Sequence, residues 1–128
     1  MDDLLREGSD WLEEMRTRFL ARTVTYVRGS QTVDLPASVG KTVFRIDKGY
    51  GVSERTESRD FLVLTCDLGF SGAQVLPQRG DRVREVQGTQ VFVYEVMAPG
   101  NEPHYRYSDA YRKTLRIHTK LVGTEALP

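Results

Sequence analysis

Two apolar segments near the middle of the chain constrain its fold more than any other feature. Asp60–Leu68 (DFLVLTCDL) is a short apolar run, and Thr89–Met97 (TQVFVYEVM) alternates apolar with polar residues. Short runs of this kind, rich in β-branched and aromatic residues, are typical of strands. Between them lies Leu76–Val83 (LPQRGDRV), in which Gly80-Asp81 indicates a turn. The sequence therefore predicts a β-rich domain organised around these strands.

Further strands are predicted on both sides of this centre. Thr23–Val27 is β-branched and aromatic, Thr32–Leu35 alternates, and Thr42–Ile46 follows as a third candidate. The closing segment Lys113–Val122 alternates apolar with basic residues, which predicts one apolar face and one polar face that includes His118. With about seven short strands separated by turn signals, we predict a mainly β fold, a small antiparallel barrel or sandwich.

The first 22 residues carry a helical pattern and give the fold a minor α part. Their stripe recurs at spacings of three and four, along Leu4, Gly8, Leu12, Met15 and Phe19. This periodicity predicts an N-terminal helix over residues 1–22, or two shorter helices if Ser9 caps the second. Trp11 and Phe19 are candidates to anchor a partner subunit; the alternative is that the stripe packs on the chain's own sheet.

The length and the charge balance bound the class of protein. The 128 residues fit a single domain, 1–128, whose barrel occupies residues 23–123. Lys+Arg and Asp+Glu balance at 18 each, so the formal net charge is zero. This balance argues against general binding to nucleic acid or to an anionic membrane, and it suits a subunit that packs against copies or partners.

One long connection departs from the strand pattern. Asp47–Arg59 (DKGYGVSERTESR) contains two glycines and six charged residues. Connections of this length are usually functional or mobile. We predict a long mobile loop at 47–59, which is either an extended arm that becomes ordered against a partner or a solvated hairpin tip. Lys48, Tyr50 and Arg55 are its candidate interface residues.

Tyrosines and basic residues are interleaved towards the C-terminus. The set comprises Tyr105, Arg106, Tyr107, Tyr111, Arg112, Lys113, Arg116 and Lys120. Such a set could stack bases and contact phosphates, it could form a protein interface, or it could be an ordinary solvated strand edge. Because there is no basic excess, a protein interface is favoured over nucleic acid. Tyr105, Tyr107 and Arg116 are its candidate interface residues.

The reactive residues do not form a pattern typical of catalysis or metal binding. His104 and His118 lie on different segments, with no His, Cys or Glu at metal-ligand spacing. Asp60, Asp67 and Asp81 are explained as strand-end and turn residues. We therefore predict no catalytic, cofactor-binding or metal-binding residues and no cofactor; an enzyme with a site assembled from loops ranks last.

Localisation signals are also missing from the sequence. The acidic N-terminal segment lacks the basic and apolar regions of a signal peptide. No apolar run approaches the roughly 20 residues that a membrane-spanning helix needs. Cys66, in an apolar strand segment, is predicted to be a buried structural thiol. We expect a protein of a cytoplasm-like compartment without membrane association.

Four short segments of the second half follow one another in a recognisable order. They are Asp60–Val63, Asp67-Leu68, the Gly80-Asp81 turn and the strand Phe92–Val96. In this order and spacing the sequence resembles the phage head–tail joining family, the small neck or head-completion proteins of tailed phages with lambda-like morphology. The predicted helix, early strands and long loop fit the same plan, so the resemblance covers most of the chain.

The resemblance implies a structural virion neck protein with no enzymatic activity. It implies a ring at the portal vertex that joins the DNA-filled head to the tail. The implied partners are the portal (connector) protein, a tail or tail-terminator protein and further copies of this chain. The implied location is the virion neck, with the host cytoplasm before assembly.

Two functions therefore remain open. In the first, the loop at 47–59 of one subunit contacts the barrel of the next and closes a ring. The alternative is a small oligonucleotide-binding β-barrel domain that uses the Tyr105–Lys120 face.

Overall fold

A computed structural model of the chain describes residues 22–100 and 102–127, and most of these residues lie in strands. The N-terminal helix predicted over residues 1–22, with Trp11 and Phe19, falls on positions outside the described residues, apart from Arg22, which begins a strand. The strands are β1 (Arg22–Arg28), β2 (Gln31–Gly49), β3 (Val52–Leu64), β4 (Gly69–Phe70), β5 (Ala73–Gln74), β6 (Arg82–Gln87), β7 (Gln90–Val96), β8 (Tyr105–Tyr107) and β9 (Thr114–Ala126), with a 3-10 turn at Thr65–Asp67.

Seven strands form one antiparallel sheet in the order β3-β2-β1-β6-β7-β9-β8, and β4 and β5 form a small separate hairpin. β3 also pairs with β9 over Arg59–Leu64, so the sheet curls until these two strands meet. The prediction of a mainly β, antiparallel fold is confirmed. The predicted barrel is not closed, and this is a correction. β2 and β3 are much longer than their neighbours, and Val52–Ser58 of β3 pairs with β2 alone.

The curled sheet encloses an apolar core because alternate residues of each strand point to the same side. Cross-strand partners such as Tyr26 with Val83 and Phe61 with Ile117 bring core residues of neighbouring strands together. Burying each large apolar side chain contributes roughly 1.5–3 kcal/mol. The core consists of Val24, Tyr26, Leu35, Ala37, Phe61, Val63, Leu68, Phe70, Val83, Tyr94, Val96, Leu115 and Ile117.

β2 and β3 form a hairpin that extends beyond the rest of the sheet. From Thr42 opposite Ser58 to Gly49 opposite Val52, the two strands pair only with each other. We call Thr42–Ser58 the arm. At roughly 3.3 Å per residue its length is about 25 Å.

The segment predicted as a loop at 47–59 is a paired hairpin in the structure. These positions belong to the paired strands β2 and β3 and the turn between them, as in the hairpin alternative. Charged residues occur on both faces of this hairpin. The segment therefore lacks the alternation of apolar and polar residues from which strands are predicted. The mobility of this segment and the single-domain division 1–128 stay predictions.

Two smaller predictions need correction. The candidate strands Thr32–Leu35 and Thr42–Ile46 are strand residues, but they belong to one continuous strand, β2, since Pro36 keeps its place in the ladder opposite Thr23. Cys66 is exposed, because the chain leaves β3 at Leu64 and enters a 3-10 turn there.

The antiparallel order defines two ends of the sheet. The tip of the arm, at Tyr50, lies at one end, together with the Gly88 turn between β6 and β7. The Gly29 turn between β1 and β2 and the segment that leads into Arg82 lie at the opposite end. We call these the arm end and the far end.

Candidate functional site

The tip of the arm carries a fully exposed aromatic side chain in an unusual backbone conformation. Tyr50 has a φ of +53°, between Gly49 at +86° and Gly51 at +75°. Its relative exposure is 105%, so the side chain contacts solvent on every side. A left-handed non-glycine residue costs on the order of 1–2 kcal/mol, and strain of this kind is concentrated at binding and catalytic sites. The tip is therefore a candidate binding element.

Polar contacts hold the tip in shape. The Oδ1 atom of Asp47 accepts a hydrogen bond of 2.8 Å from the backbone N–H of Gly49. Below the turn, Lys48 and Glu54 form an ion pair of 2.9 Å across the two strands. Because both partners are exposed, such a pair contributes at most about 1 kcal/mol. An isolated two-stranded hairpin is marginally stable in water, so the arm depends on its attachment to the sheet.

That attachment is a buried carboxylate on β3. Asp60 is fully buried and accepts hydrogen bonds from Thr42, from Ser58 Oγ at 2.5 Å and from Arg116 Nη1 at 2.7 Å. His118 Nδ1 lies 2.8 Å from its Oδ1 atom. Burial alone would raise the pKa of Asp60, but these four hydrogen bonds hold it well below its usual range. An ionised carboxylate thus joins both strands of the arm base to β9.

An aromatic contact reinforces the same place. The ring of Phe44, on the arm, meets the ring of His118 edge to face with centroids 5.5 Å apart. Both side chains are buried. The base of the arm is therefore packed onto β9, while the outer part projects into solvent.

The serine, histidine and aspartate of this network do not have the geometry of a catalytic triad. Ser58 Oγ lies 3.3 Å from His118 Nδ1, the same nitrogen that contacts Asp60. A triad needs the aspartate and the serine on opposite ring nitrogens, so that the imidazole can take the serine proton. These three residues are arranged to hold the arm, and no activated nucleophile results from their contacts.

A second buried carboxylate organises the far end. Asp81 accepts hydrogen bonds from the hydroxyl of Tyr26 and from Arg28 Nη2 at 2.8 Å. Burial and the neighbouring carboxylate raise the pKa of Tyr26 well above its usual range, so the phenol stays protonated. Arg28 Nη2 also donates to the backbone oxygen of Leu76 at 2.7 Å. This network fixes the chain segment that precedes β6.

That segment forms one wall of an open groove of about 700 Å³ at the far end. The other wall contains His104, whose Nε2–H donates to the backbone oxygen of Pro77 at 2.7 Å, and Tyr105, whose ring packs on His104 at 4.9 Å. Leu76 is 48% exposed within it. The groove is lined by Arg28, Gln74, Val75, Leu76, Pro77, Gln78, Arg79, His104 and Tyr105.

The structure divides the predicted interface residues between separate places. Lys48, Tyr50 and Arg55 lie together on the exposed outer arm. Tyr105 and Tyr107 lie on β8, half-buried against the core. Trp11 and Phe19 are outside the described positions.

Arg116, the last predicted interface residue, is engaged at the arm base by its ion pair with Asp60. It is therefore not free to meet a phosphate, and Tyr105 and Tyr107 are partly buried against the core. The oligonucleotide alternative gains no support from this geometry.

Sequence reasoning missed the network at the arm base and the groove. A signal for the first was present: Asp60 opens a strongly apolar run, and a carboxylate beside such a run needs a partner when it is buried. Nothing local to either strand identified His118 as that partner. The groove combines residues from segments far apart in sequence, so no short motif indicates it.

Metal-binding clusters and membrane-spanning helices are both absent from the described part of the chain. Within residues 22–100 and 102–127, no group of three or more His, Cys, Asp and Glu side chains is placed to hold a metal ion. Within those residues, no helix has the length and apolar character needed to cross a membrane.

Comparison with known proteins relates most of the chain to one family. A family model described as phage head-tail joining protein matches residues 2–126. No curated protein matches the chain. The matched range includes the arm, the buried carboxylates and the groove.

Proposed function

The chain belongs to the family of phage head-tail joining proteins, and we propose that it acts as a ring at the portal vertex. Membership gives the protein a structural role at the virion neck, where head and tail are joined. In the proposal, the ring connects the portal (connector) protein of the DNA-filled head to a tail or tail-terminator protein. Before assembly the protein resides in the host cytoplasm.

The observation that carries the proposal is the arm. It extends about 25 Å from the sheet, is firmly attached through Asp60, and ends in the exposed ring of Tyr50. Two strands alone are marginally stable, and a contact with another molecule would stabilise the outer arm. Binding through an arm of one copy to the body of the next is a heterologous contact, which generates a ring when the rotation between copies closes.

The charge of the chain supports repeated contacts between identical copies. The formal net charge is zero, with 18 basic and 18 acidic residues. Copies of a strongly charged chain repel one another, and this repulsion is absent at zero net charge.

The experiment is the binding of the purified protein to the portal oligomer of the same phage, with the mass of the complex as the readout. The proposal predicts that the complex gains a fixed multiple of the 14.6 kDa chain. A folded protein that leaves the portal mass unchanged, both with isolated portal and with portal embedded in a DNA-filled head, contradicts it.

A further inference from the structure

We infer that the ring of Tyr50 on one copy inserts into the groove at the far end of a neighbouring copy, where Leu76 and Arg79 receive it. This inference rests on the proposed function, since it names the contact by which copies associate. It identifies both halves of that contact on one chain.

The tip has the properties of an interface anchor. A tyrosine offers a large apolar ring and a hydroxyl with few rotatable bonds, which makes it one of the residues enriched among energetically dominant contacts. The flanking glycines and the Asp47–Gly49 hydrogen bond of 2.8 Å set the direction of the turn before any partner arrives. The ring of Tyr50 is not covered by any residue in the described part of its own chain, because the side chain is fully exposed.

The groove has the properties of a receiving site. Its walls are fixed by backbone hydrogen bonds, including that of Val75 N–H to the oxygen of Leu68 at 3.1 Å and that of Gly80 N–H to the oxygen of Val96 at 3.0 Å. Leu76 presents an exposed apolar side chain in a lining that also includes two arginines and a tyrosine. An aromatic ring seated there would contact apolar surface and lie near a guanidinium, a favourable arrangement for tyrosine.

One unpaired charge at the tip complements one unpaired charge in the groove. The residues that line the groove include two arginines and no carboxylate. Arg28 is paired with Asp81, whereas Arg79 makes no ion pair with any residue in the described ranges. At the tip, Lys48 and Glu54 neutralise each other, and Asp47 makes no ion pair in the described ranges; Arg45 lies two residues further from the tip on β2. Asp47 of one copy is thus the expected partner of Arg79 of the next.

The positions of the two surfaces require different copies. The tip lies at the arm end and the groove at the far end, so an arm that points away from its own sheet cannot occupy its own groove. The contact joins two different surfaces and leaves a free arm and a free groove on every pair. It therefore propagates from copy to copy, as a ring requires.

The test is cross-linking between two singly labelled copies in a Cys66→Ser background, because Cys66 is exposed and would react. One copy carries Val52→Cys beside the tip and the other carries Gln78→Cys at the groove rim; both native residues are exposed. The copies are mixed, assembled on the portal and treated with a short bis-maleimide. Val52→Cys mixed with Val86→Cys is the control, since Val86 is 56% exposed at the arm end.

The expected result is a linked dimer from the Val52–Gln78 pair and not from the Val52–Val86 pair. Adding Tyr50→Ala to both copies lowers the yield by about tenfold or more, and Tyr50→Phe retains most of it. Assembly without the Val52–Gln78 link, or with equal linking of the control, overturns this inference and leaves the proposed ring intact. No assembly at all removes the ring and the inference together.

A double-mutant cycle gives a second, independent measurement. Asp47→Asn keeps the Oδ1 acceptor for the N–H of Gly49 and removes the charge, so Asp47→Asn and Arg79→Gln should each weaken assembly. The double variant should be no weaker than either single variant, because the pair is already lost in each of them. Losses that add up in the double variant contradict the assigned pairing.

Discussion

His118 and Asp60 lie opposite each other on β9 and β3, with Nδ1 of the histidine 2.8 Å from Oδ1 of the buried carboxylate. The same carboxylate receives hydrogen bonds from both strands of the arm base, through Thr42 and Ser58. One ionised side chain thereby links both strands of the arm base to β9, in addition to the continuation of β2 and β3 into the sheet. This attachment explains how a hairpin with little apolar content can project in a defined direction.

Replacing Asp60 with asparagine should destabilise the fold strongly. Arg116 would lose its ion-pair partner in a half-buried position, and removal of one partner of a buried pair costs about 3 kcal/mol. The free energy of unfolding from urea titration measures the loss. Asp47→Asn, which removes an exposed carboxylate, should change it by less than about 0.5 kcal/mol. Equal effects of the two substitutions would contradict the role assigned to Asp60.

The same carboxylate predicts how stability depends on pH. Burial raises the pKa of Asp60, and the hydrogen bonds from His118, Ser58, Thr42 and Arg116 outweigh that effect and lower it. Since the folded pKa lies below the unfolded value of about 4, the stabilisation is complete above that pH and is lost as the pH falls further. Urea titrations from about pH 5 to about pH 2 should show a shallower decline for Asp60→Asn than for the wild type. Parallel declines would show that Asp60 does not carry this dependence.

Phe44 should control local opening of the arm. Phe44→Ala removes the edge-to-face contact with His118 and buried apolar area, a loss of about 3 kcal/mol, or roughly 150-fold in the opening equilibrium. Hydrogen exchange should accelerate in the arm (Thr42–Ser58) while exchange in β7 stays unchanged. Val43→Ala is the matched control, because Val43 is the adjacent residue of β2 and is 42% exposed. Equal acceleration by both variants would disprove the proposed anchoring by Phe44.

The glycine that begins β4 should tolerate no side chain. A Cβ atom at Gly69 would lie 2.6 Å from the backbone oxygen of Ala73, so Gly69→Ala must displace the β4–β5 hairpin, at a cost of about 1–3 kcal/mol. At Gly123 an added Cβ meets nothing within 4 Å and φ is not positive, so Gly123→Ala should be neutral or slightly stabilising. Thermal unfolding of the two variants compares them directly, and a neutral Gly69→Ala would contradict the close packing at that turn.

The strands that form the core followed from the sequence because one of their faces is apolar. Thr23–Val27 and Thr89–Met97 have the alternation of half-buried strands, and both overlap observed strands, β1 and β7. The outer arm, residues 47–58, was taken for a loop because it has no such face: solvent surrounds it, so its composition matches that of a loop. Pairing with its own neighbour, and not burial, makes it a hairpin.

The polar face of β9 shows a second limit of the sequence pattern. His118 lies on the face predicted to be polar, yet its exposure is 1%, because Phe44 and Asp60 approach it from β2 and β3. The alternation of apolar and polar residues along a strand predicts which side chains face the core. It does not predict which of the outward-facing side chains are buried by another segment of the chain. The candidate site likewise depends on segments far apart in sequence, since Leu76 and Tyr105 line one groove only after folding.

In the proposed function the arm assembles copies of this chain on the portal, and a variant with a shortened arm is the sharpest test. Replacing Asp47–Ser53 with Asn-Gly joins Ile46 to Glu54, which are already paired, through a two-residue turn that suits a hairpin. The shortened variant should keep the unfolding midpoint of the wild type within the error of the measurement. The mass of the portal complex is then measured for both proteins. We predict a fixed added multiple of the chain mass for the wild type and none for the shortened variant; the same added mass for both would contradict the account.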